Sequence, residues 1–200
     1  MREYLMQNLP PDPIELFGEW LEAAKAHEPR VPTAMQLATV NGATGRPSVR
    51  TVLLKGFGPQ GLVFYTNLES RKAMELSSVS SVAACFHWKS LERQVLVEGS
   101  VVAVPDSEAD TYFATRPRGS QLGAWASQQS RTRQRGELET RLAEVTAQFE
   151  GVPIPRPPFW GGYRIVAERF EFWQGRPDRL HERHVFIRTG DVWARSHLNP

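Results

Sequence analysis

Phe170-Glu171-Phe172-Trp173-Gln174-Gly175-Arg176-Pro177-Asp178-Arg179-Leu180-His181-Glu182-Arg183 reads as a strand, a turn and a second strand. Aromatic and polar residues alternate up to Gln174. Gly175 and Pro177 then set backbone angles that a strand interior does not supply, so the chain turns over Gly175–Asp178. From Arg179 the period-two pattern resumes. On a regular strand Arg179, His181 and Arg183 share one face, with Leu180 and Glu182 on the other. Two guanidiniums and an imidazole on so short a strip repel one another unless an anion lies against them, and arginine's planar fork suits phosphate or carboxylate. A solvated edge strand whose charges block aggregation is an equal alternative on these residues alone.

Outward from this hairpin, strand patterns recur at Ala34–Val40, Pro47–Phe57, Leu62–Thr66, Val79–Trp88, Gln94–Val104 and Tyr163–Gln174. A last strand region, Leu180–Ala194, is interrupted by a turn at Thr189–Asp191, and Asn41–Gly45 reads as a hairpin loop. Asp12-Pro13-Ile14-Glu15 is a helix start, with a capping Asp and a Pro in the first turn. Ile14, Phe17, Trp20, Leu21 and Ala24 follow at helical spacing, and the helix ends before Pro29. Further helices are expected over Ser70–Ser77, Asp106–Thr115 and Arg133–Phe149, with a break at Pro117-Arg118-Gly119 and a helical turn at Gly123–Ser127. Hairpin-joined strands with a few helices indicate an antiparallel α+β fold, a barrel or a sandwich by strand count alone. An arm (1–11) and helix make up residues 1–31, and the main domain covers 32–200.

The 200 residues suit one domain, and a formal net charge of +2 gives no global field toward nucleic acid or membrane. Cys85 is the single cysteine, which argues against a disulfide framework. With no signal core and no apolar run of about 18 residues, the cytoplasm is the expected location. The five His have no metal-site spacing, so no metal is expected, and no Gly-x-Ser-x-Gly motif occurs.

Four further stretches could carry chemistry. In Arg50-Thr51-Val52-Leu53-Leu54-Lys55 the two cations, five apart, face opposite sides of a regular strand; a core strand with polar ends is the bland alternative. In Tyr65-Thr66-Asn67-Leu68-Glu69-Ser70-Arg71-Lys72 a strand runs into a helix whose first turn holds two cations. They oppose the helix dipole unless an anion binds at the free amides, though a solvated helix start reads equally well. Tyr112 and Arg116 share a helix face, and Ser120, past the Pro break, is expected in a loop facing the same pocket. All three are good phosphate partners, although a packed Tyr and a C-terminal Arg need no ligand. The run Ser120-Gln121-Leu122-Gly123-Ala124-Trp125-Ala126-Ser127-Gln128-Gln129-Ser130 has little chemistry of its own.

Taken together, Arg-x-Val-Leu-Leu-Lys at 50–55, Ser-Arg-Lys at 70–72, the 112–130 segment and Phe-Glu-Phe-Trp-Gln with Arg-Leu-His-Glu-Arg at 170–183 resemble the pyridoxamine 5'-phosphate oxidase family. The resemblance implies a split β-barrel of the FMN-binding type, paired as a homodimer with FMN at the subunit interface. It implies oxidation of pyridoxamine or pyridoxine 5'-phosphate to pyridoxal 5'-phosphate, with O2 as acceptor. Residue by residue, it places FMN on Arg50, Thr51, Val52, Leu53, Leu54, Lys55, Tyr65, Thr66, Arg71, Lys72, Gln94, Gln129, Ser130, Trp173 and Arg183. It places substrate on Lys55, Tyr112, Arg116, Ser120, Arg179, Leu180 and His181, with Arg179 and His181 at the reacting end. The N-terminal arm departs from the family pattern, lacking its paired glycines. A phenazine-type flavin oxidase of the same fold, or a non-catalytic carrier of flavin or pyridoxal phosphate, is the alternative.

Overall fold

The strand Trp160–Gln174 is the spine of the sheet, long enough at 15 residues to serve three neighbours. In this computed structural model, which describes residues 9–200, it is the seventh of nine strands. The arm expected over 1–11 lies, except for its last three residues, outside the described residues. In chain order the strands are β1 (Ala34–Val40), β2 (Pro47–Leu53), β3 (Gly56–Gly58), β4 (Gly61–Asn67), β5 (Ser81–Trp88), β6 (Arg93–Ala103), β7 (Trp160–Gln174), β8 (Glu182–Thr189) and β9 (Val192–Leu198). The helices are α1 (Pro13–His27), α2 (Arg71–Ser78), α3 (Asp106–Thr115), α4 (Arg118–Ala126) and α5 (Glu137–Gln148). All pairings are antiparallel. β7 lies along β6 on one edge. On its other edge the first half pairs with β4 and the second half with β8.

The strand order β2-β1-β5-β6-β7-β4-β3 makes the sheet curl. Laid flat, seven strands would hold the two end strands about 29 Å apart. Yet β2 and β3 are separated in the chain only by Leu54 and Lys55, which span at most about 11 Å. The handover occurs between neighbouring amides: Leu54 N–H donates to Thr33 C=O at 2.9 Å, and Lys55 N–H to Val63 C=O at 2.8 Å. The single strand expected over Pro47–Phe57 is therefore two strands, because the chain changes partners there. The antiparallel split barrel expected from the family resemblance is the architecture found. Gly99 marks a bulge where β6 shifts register on β7; a Cβ there would lie 2.1 Å from Val166 O.

Helix α1 fills the barrel. Asp12 Oδ1 accepts from Ile14 N–H at 2.8 Å and caps it, as its sequence implied. Phe17 packs edge-on against Phe57 and Phe86, and Trp20 against Phe172. A second cluster, Phe113, Leu122, Val145, Phe149, Ile154 and Trp160, fastens α3, α4 and α5 to the sheet. Three other boundaries differ from expectation. The segment 133–136 is not helical, because Gly136 takes a left-handed φ of 85° just before α5. The turn expected over Gly123–Ser127 is the last part of a helix that starts at Arg118, directly after Pro117. Residues 177–179 form a tight 3-10 turn, with left-handed φ at Asp178 (58°) and Arg179 (61°), so the last hairpin strand begins only at Glu182. Among the described residues no helix is long and apolar enough to cross a membrane.

Candidate active site

A cavity of about 980 Å³ opens between β2, the N-terminus of α2, α3 and α4. That is the upper end of the range for one small ligand, about 300–1,000 Å³, and leaves room for two ring compounds. Arg50, Thr51, Val52, Leu53 and Lys55 line it from the β2 side. Both cations of that segment border it, because the chain leaves the strand path at Leu54. Leu54 itself is 4% exposed, belongs to the barrel core and does not line the cavity. Tyr65, Thr66, Arg71, Lys72, Gln129 and Ser130 line a second wall, and Tyr112, Arg116 and Ser120 a third. Ser120 sits in the first turn of α4 rather than in a loop, since Pro117 starts a new helix instead of only ending the old one.

At the α2 wall, Lys72 is buried, with Nζ donating to Thr66 Oγ1 at 2.9 Å, Ser70 Oγ at 3.1 Å and Gln129 Oε1 at 2.9 Å. All three partners are neutral, and no carboxylate among the described residues pairs with it. Burial, assisted by repulsion from Arg50, lowers its pKa to about 8. Ser70 makes no side-chain cap to the helix. Gln129 and Ser130 reach this wall from the segment after α4, Ser130 Oγ accepting from Arg71 N–H at 3.2 Å.

Across the cavity the rings of Tyr112, Tyr65 and Trp160 stack, at 4.2 Å between the first two and 5.2 Å between the last two. Burial, with Glu108 nearby, pushes the Tyr65 phenol up, so it stays protonated at neutral pH. Arg116 lies over the Trp160 ring at 4.9 Å. Its Nη1 is buried with no hydrogen-bond partner. A buried donor without an acceptor is costly, and a buried lysine with only neutral partners is more so. Both costs would be relieved by anions in the cavity. The donor set therefore fits two phosphates, one at Lys72 and Arg71 and the other at Arg116.

The residue that sequence reasoning missed is Glu75, on α2. It is 3% exposed and accepts from Thr39 Oγ1 at 2.5 Å, Ser48 Oγ at 2.6 Å, Arg50 Nη2 at 3.3 Å and Arg71 Nε at 2.9 Å. Burial alone would raise its pKa; hydrogen bonds from Ser48, Thr39 and Arg71 overcome this and hold it at about 2. The sequence of α2 carries no sign of this, since the helix buries Lys72 and Glu75 while Met74 is 59% exposed, against the ordinary patterning of a helix at those positions.

The remaining candidates lie elsewhere in the same chain. Gln94, Trp173 and Arg183 are adjacent across β6, β7 and β8. The His181 ring packs against Trp173 with centroids 4.7 Å apart, and its Nδ1 accepts from Arg176 N–H at 3.1 Å. Arg183 is tied to Glu171, from Nε at 2.8 Å and Nη2 at 2.6 Å. Arg179 and Leu180 are exposed, Leu180 at 70%. None of these six residues lines the large cavity of its own chain. The shared face expected of Arg179, His181 and Arg183 does not exist, because the left-handed turn takes Arg179 off the strand. Among the described residues no group of His, Cys, Asp and Glu could hold a metal ion.

Residues 22–149 match the family model for pyridoxamine 5'-phosphate oxidase, and residues 160–200 that for the pyridoxine 5'-phosphate oxidase C-terminal dimerisation region. A pyridoxine/pyridoxamine 5'-phosphate oxidase of Rubrobacter xylanophilus is 56% identical over 191 residues, covering 95% of this chain and 88% of that protein. Its counterpart in Rhodospirillum rubrum is 55% identical over 195 residues, covering 94% and 96%. Among solved structures, PhzG of Burkholderia lata in complex with tetrahydrophenazine-1-carboxylic acid superposes with a TM-score of 0.91 at 33% identity, covering 97% of this chain and 95% of that one. A pyridoxamine 5'-phosphate oxidase-related, FMN-binding protein of Nostoc punctiforme shares the fold with a TM-score of 0.76 at 18% identity, covering 96% of this chain and 100% of that one.

Proposed function

The chain belongs to the pyridoxamine 5'-phosphate oxidase family, and from that premise we propose that it oxidises pyridoxamine and pyridoxine 5'-phosphate to pyridoxal 5'-phosphate. FMN is the cofactor and O2 the acceptor; hydrogen peroxide is released and, from the amine, ammonia. The observation that carries this reading is one cavity with two unmatched cationic grips, Lys72 and Arg116, on different walls. Bound FMN would supply the two-electron redox chemistry that side chains lack.

Arg71, Lys72 and the free amides at the start of α2 hold the FMN phosphate. Arg50, Thr51, Val52, Leu53, Lys55, Tyr65, Thr66, Gln129 and Ser130 border the rest of the cofactor. Lys55, Tyr112, Arg116 and Ser120 grip the substrate phosphate. Fixing both partners by phosphates remote from the reacting carbon converts an encounter into a positioned pair, an effect worth several kcal/mol, on the order of 7–11 at its limit.

The chain forms a homodimer through its C-terminal region, and we assign FMN to the subunit interface. Gln94, Trp173 and Arg183 of a second copy would close over the flavin, and Arg179, Leu180 and His181 over the substrate. The exposed edge of β2, with Val49 67% and Leu53 38% exposed, offers the facing surface. His181 Nδ1 is engaged by the Arg176 N–H, which leaves Nε2 as the ring nitrogen that would meet the reacting end of the substrate.

The test is one assay on the purified protein: record the flavin spectrum, add pyridoxamine 5'-phosphate in air and follow aldehyde and peroxide. Stoichiometric appearance of both is expected. A yellow protein that turns over neither phosphorylated substrate would sink the proposal and favour a carrier. Turnover of a reduced phenazine alone would favour the chemistry suggested by the name of the Burkholderia structure.

A further inference from the structure

The cations of the α2 wall come from two elements that have no covalent reason to stay in step. Arg50 stands on β2, the edge strand, and Arg71 opens α2 with a side chain 61% exposed. A long exposed side chain loses rotamer freedom when fixed, so holding it needs partners. Both guanidiniums nonetheless converge on one carboxylate. Glu75 Oε1 takes Arg71, and Oε2 takes Arg50 together with the hydroxyls of Thr39 and Ser48. Arg50 is bound further to Thr39 Oγ1, Ser48 Oγ and Leu37 C=O. The network thus spans β1, β2 and α2 and has Glu75 at its centre.

We propose that Glu75 is the positioning residue of the cofactor-phosphate site, locking Arg50 and Arg71 into one rigid anion cradle; this rests on the reading that the FMN phosphate sits at Arg71 and Lys72. Charge agrees with it. Arg50, Arg71 and Lys72 less the one carboxylate leave a net charge of two positive, matching a phosphate monoester's charge of about −1.5 to −2 near pH 7. Without Glu75 three cations would converge with nothing to separate them, and Arg71 would be free to swing into solvent. Fold stability alone gives no reason for the arrangement, since buried ion clusters are often no better than apolar side chains of the same volume.

The experiment titrates the full-length protein with FMN and with riboflavin, which lacks the phosphate, following flavin fluorescence. Glu75→Gln keeps the shape but turns an amide N–H toward one of the guanidiniums. It is expected to weaken FMN by roughly tenfold while changing riboflavin less than about twofold. Equal weakening of both ligands would mean that Glu75 only supports the fold, and unchanged or tighter FMN would mean that its charge merely opposes the phosphate; either overturns the proposal. Should Glu75→Gln fail to fold, Ser48→Ala removes one donor to the carboxylate and is expected to weaken FMN about threefold, again with riboflavin spared. Wild-type protein that binds FMN no better than riboflavin would instead remove the underlying assignment of the phosphate site.

Discussion

Two buried carboxylates organise two regions of this molecule, and each bridges a pair of arginines. Glu75 joins Arg50 to Arg71 at the rim of the cavity, and Glu171 joins Arg169 to Arg183 on the sheet. Both sit below the usual carboxylate range. Burial pushes each up, but hydrogen bonds from hydroxyls and Arg71 in the first case, and from Arg169 and Arg183 in the second, outweigh it. The surroundings differ. Around Glu75 the cations are in excess, and buried Lys72 beside it has only neutral partners. Around Glu171 the charge is spent: Arg169 also reaches Glu98 at 2.7 Å, and Arg183 reaches Asn199 C=O at 2.9 Å. One cluster carries the surplus positive charge that the proposed phosphate would meet, while in the other the charges offset one another across β6, β7 and β8, with Arg179 left at the end of the hairpin beyond it. A buried Arg–Glu pair therefore says little about function until the neighbouring charges are counted.

The sharpest way to break this contrast is to remove cations that the cavity walls leave without a carboxylate partner. Arg116→Ala is expected to lower kcat/KM about 100-fold, mainly through KM, with flavin retained, because a buried charged grip contributes roughly 2–5 kcal/mol. Loss of flavin instead would show that the two phosphate grips are not separate. Lys72→Met should weaken FMN about 30-fold and yet stabilise the flavin-free protein. The folded pKa of about 8 lies below that of an unfolded lysine, so the folded state binds fewer protons between pH 8 and about 10.4. Its charge thus costs stability at pH 7, and wild-type stability should rise with pH across that window. Thermal melts of flavin-free Lys72→Met should show a midpoint higher by about 5 °C at pH 7 and no such rise; a lower midpoint would contradict the unmatched-charge argument. Smallest is Arg179→Ala, expected to cost about tenfold in kcat/KM with FMN affinity unchanged, since the proposed assignment puts it over the substrate. Steady-state kinetics beside a flavin titration separates these outcomes, and flavin loss in Arg179→Ala would reverse the assigned roles.

Local chemistry was legible where it was self-sufficient. Asp12-Pro13 announced α1, and β1 and α3 occur over the residues their patterns marked out. Arg50, Lys55, Arg71, Lys72, Tyr112, Arg116 and Ser120 do converge on one cavity. What could not be read depends on partners distant in the chain. Periodicity cannot say that Leu54 and Lys55 bond to different strands, since that choice is made by residues 33 and 63. Nor does the pattern of α2 by itself turn Glu75 inward; Thr39, Ser48 and Arg50 do, from strands 25 to 36 positions earlier. The left-handed pair Asp178 and Arg179 defeated the alternation rule because neither is a glycine.

The joint at Leu54 and Lys55 has a geometric consequence. Consecutive peptide groups there belong to opposite margins of the rolled sheet, and Arg50 and Lys55 flank them within a single six-residue span. The jaws that meet the two proposed ligands are thus cut from one piece of chain, like the arms of a caliper set by a fixed screw. Any widening of the seam would displace both anchors together, so the spacing between cofactor and substrate follows from covalent length rather than from side-chain choice.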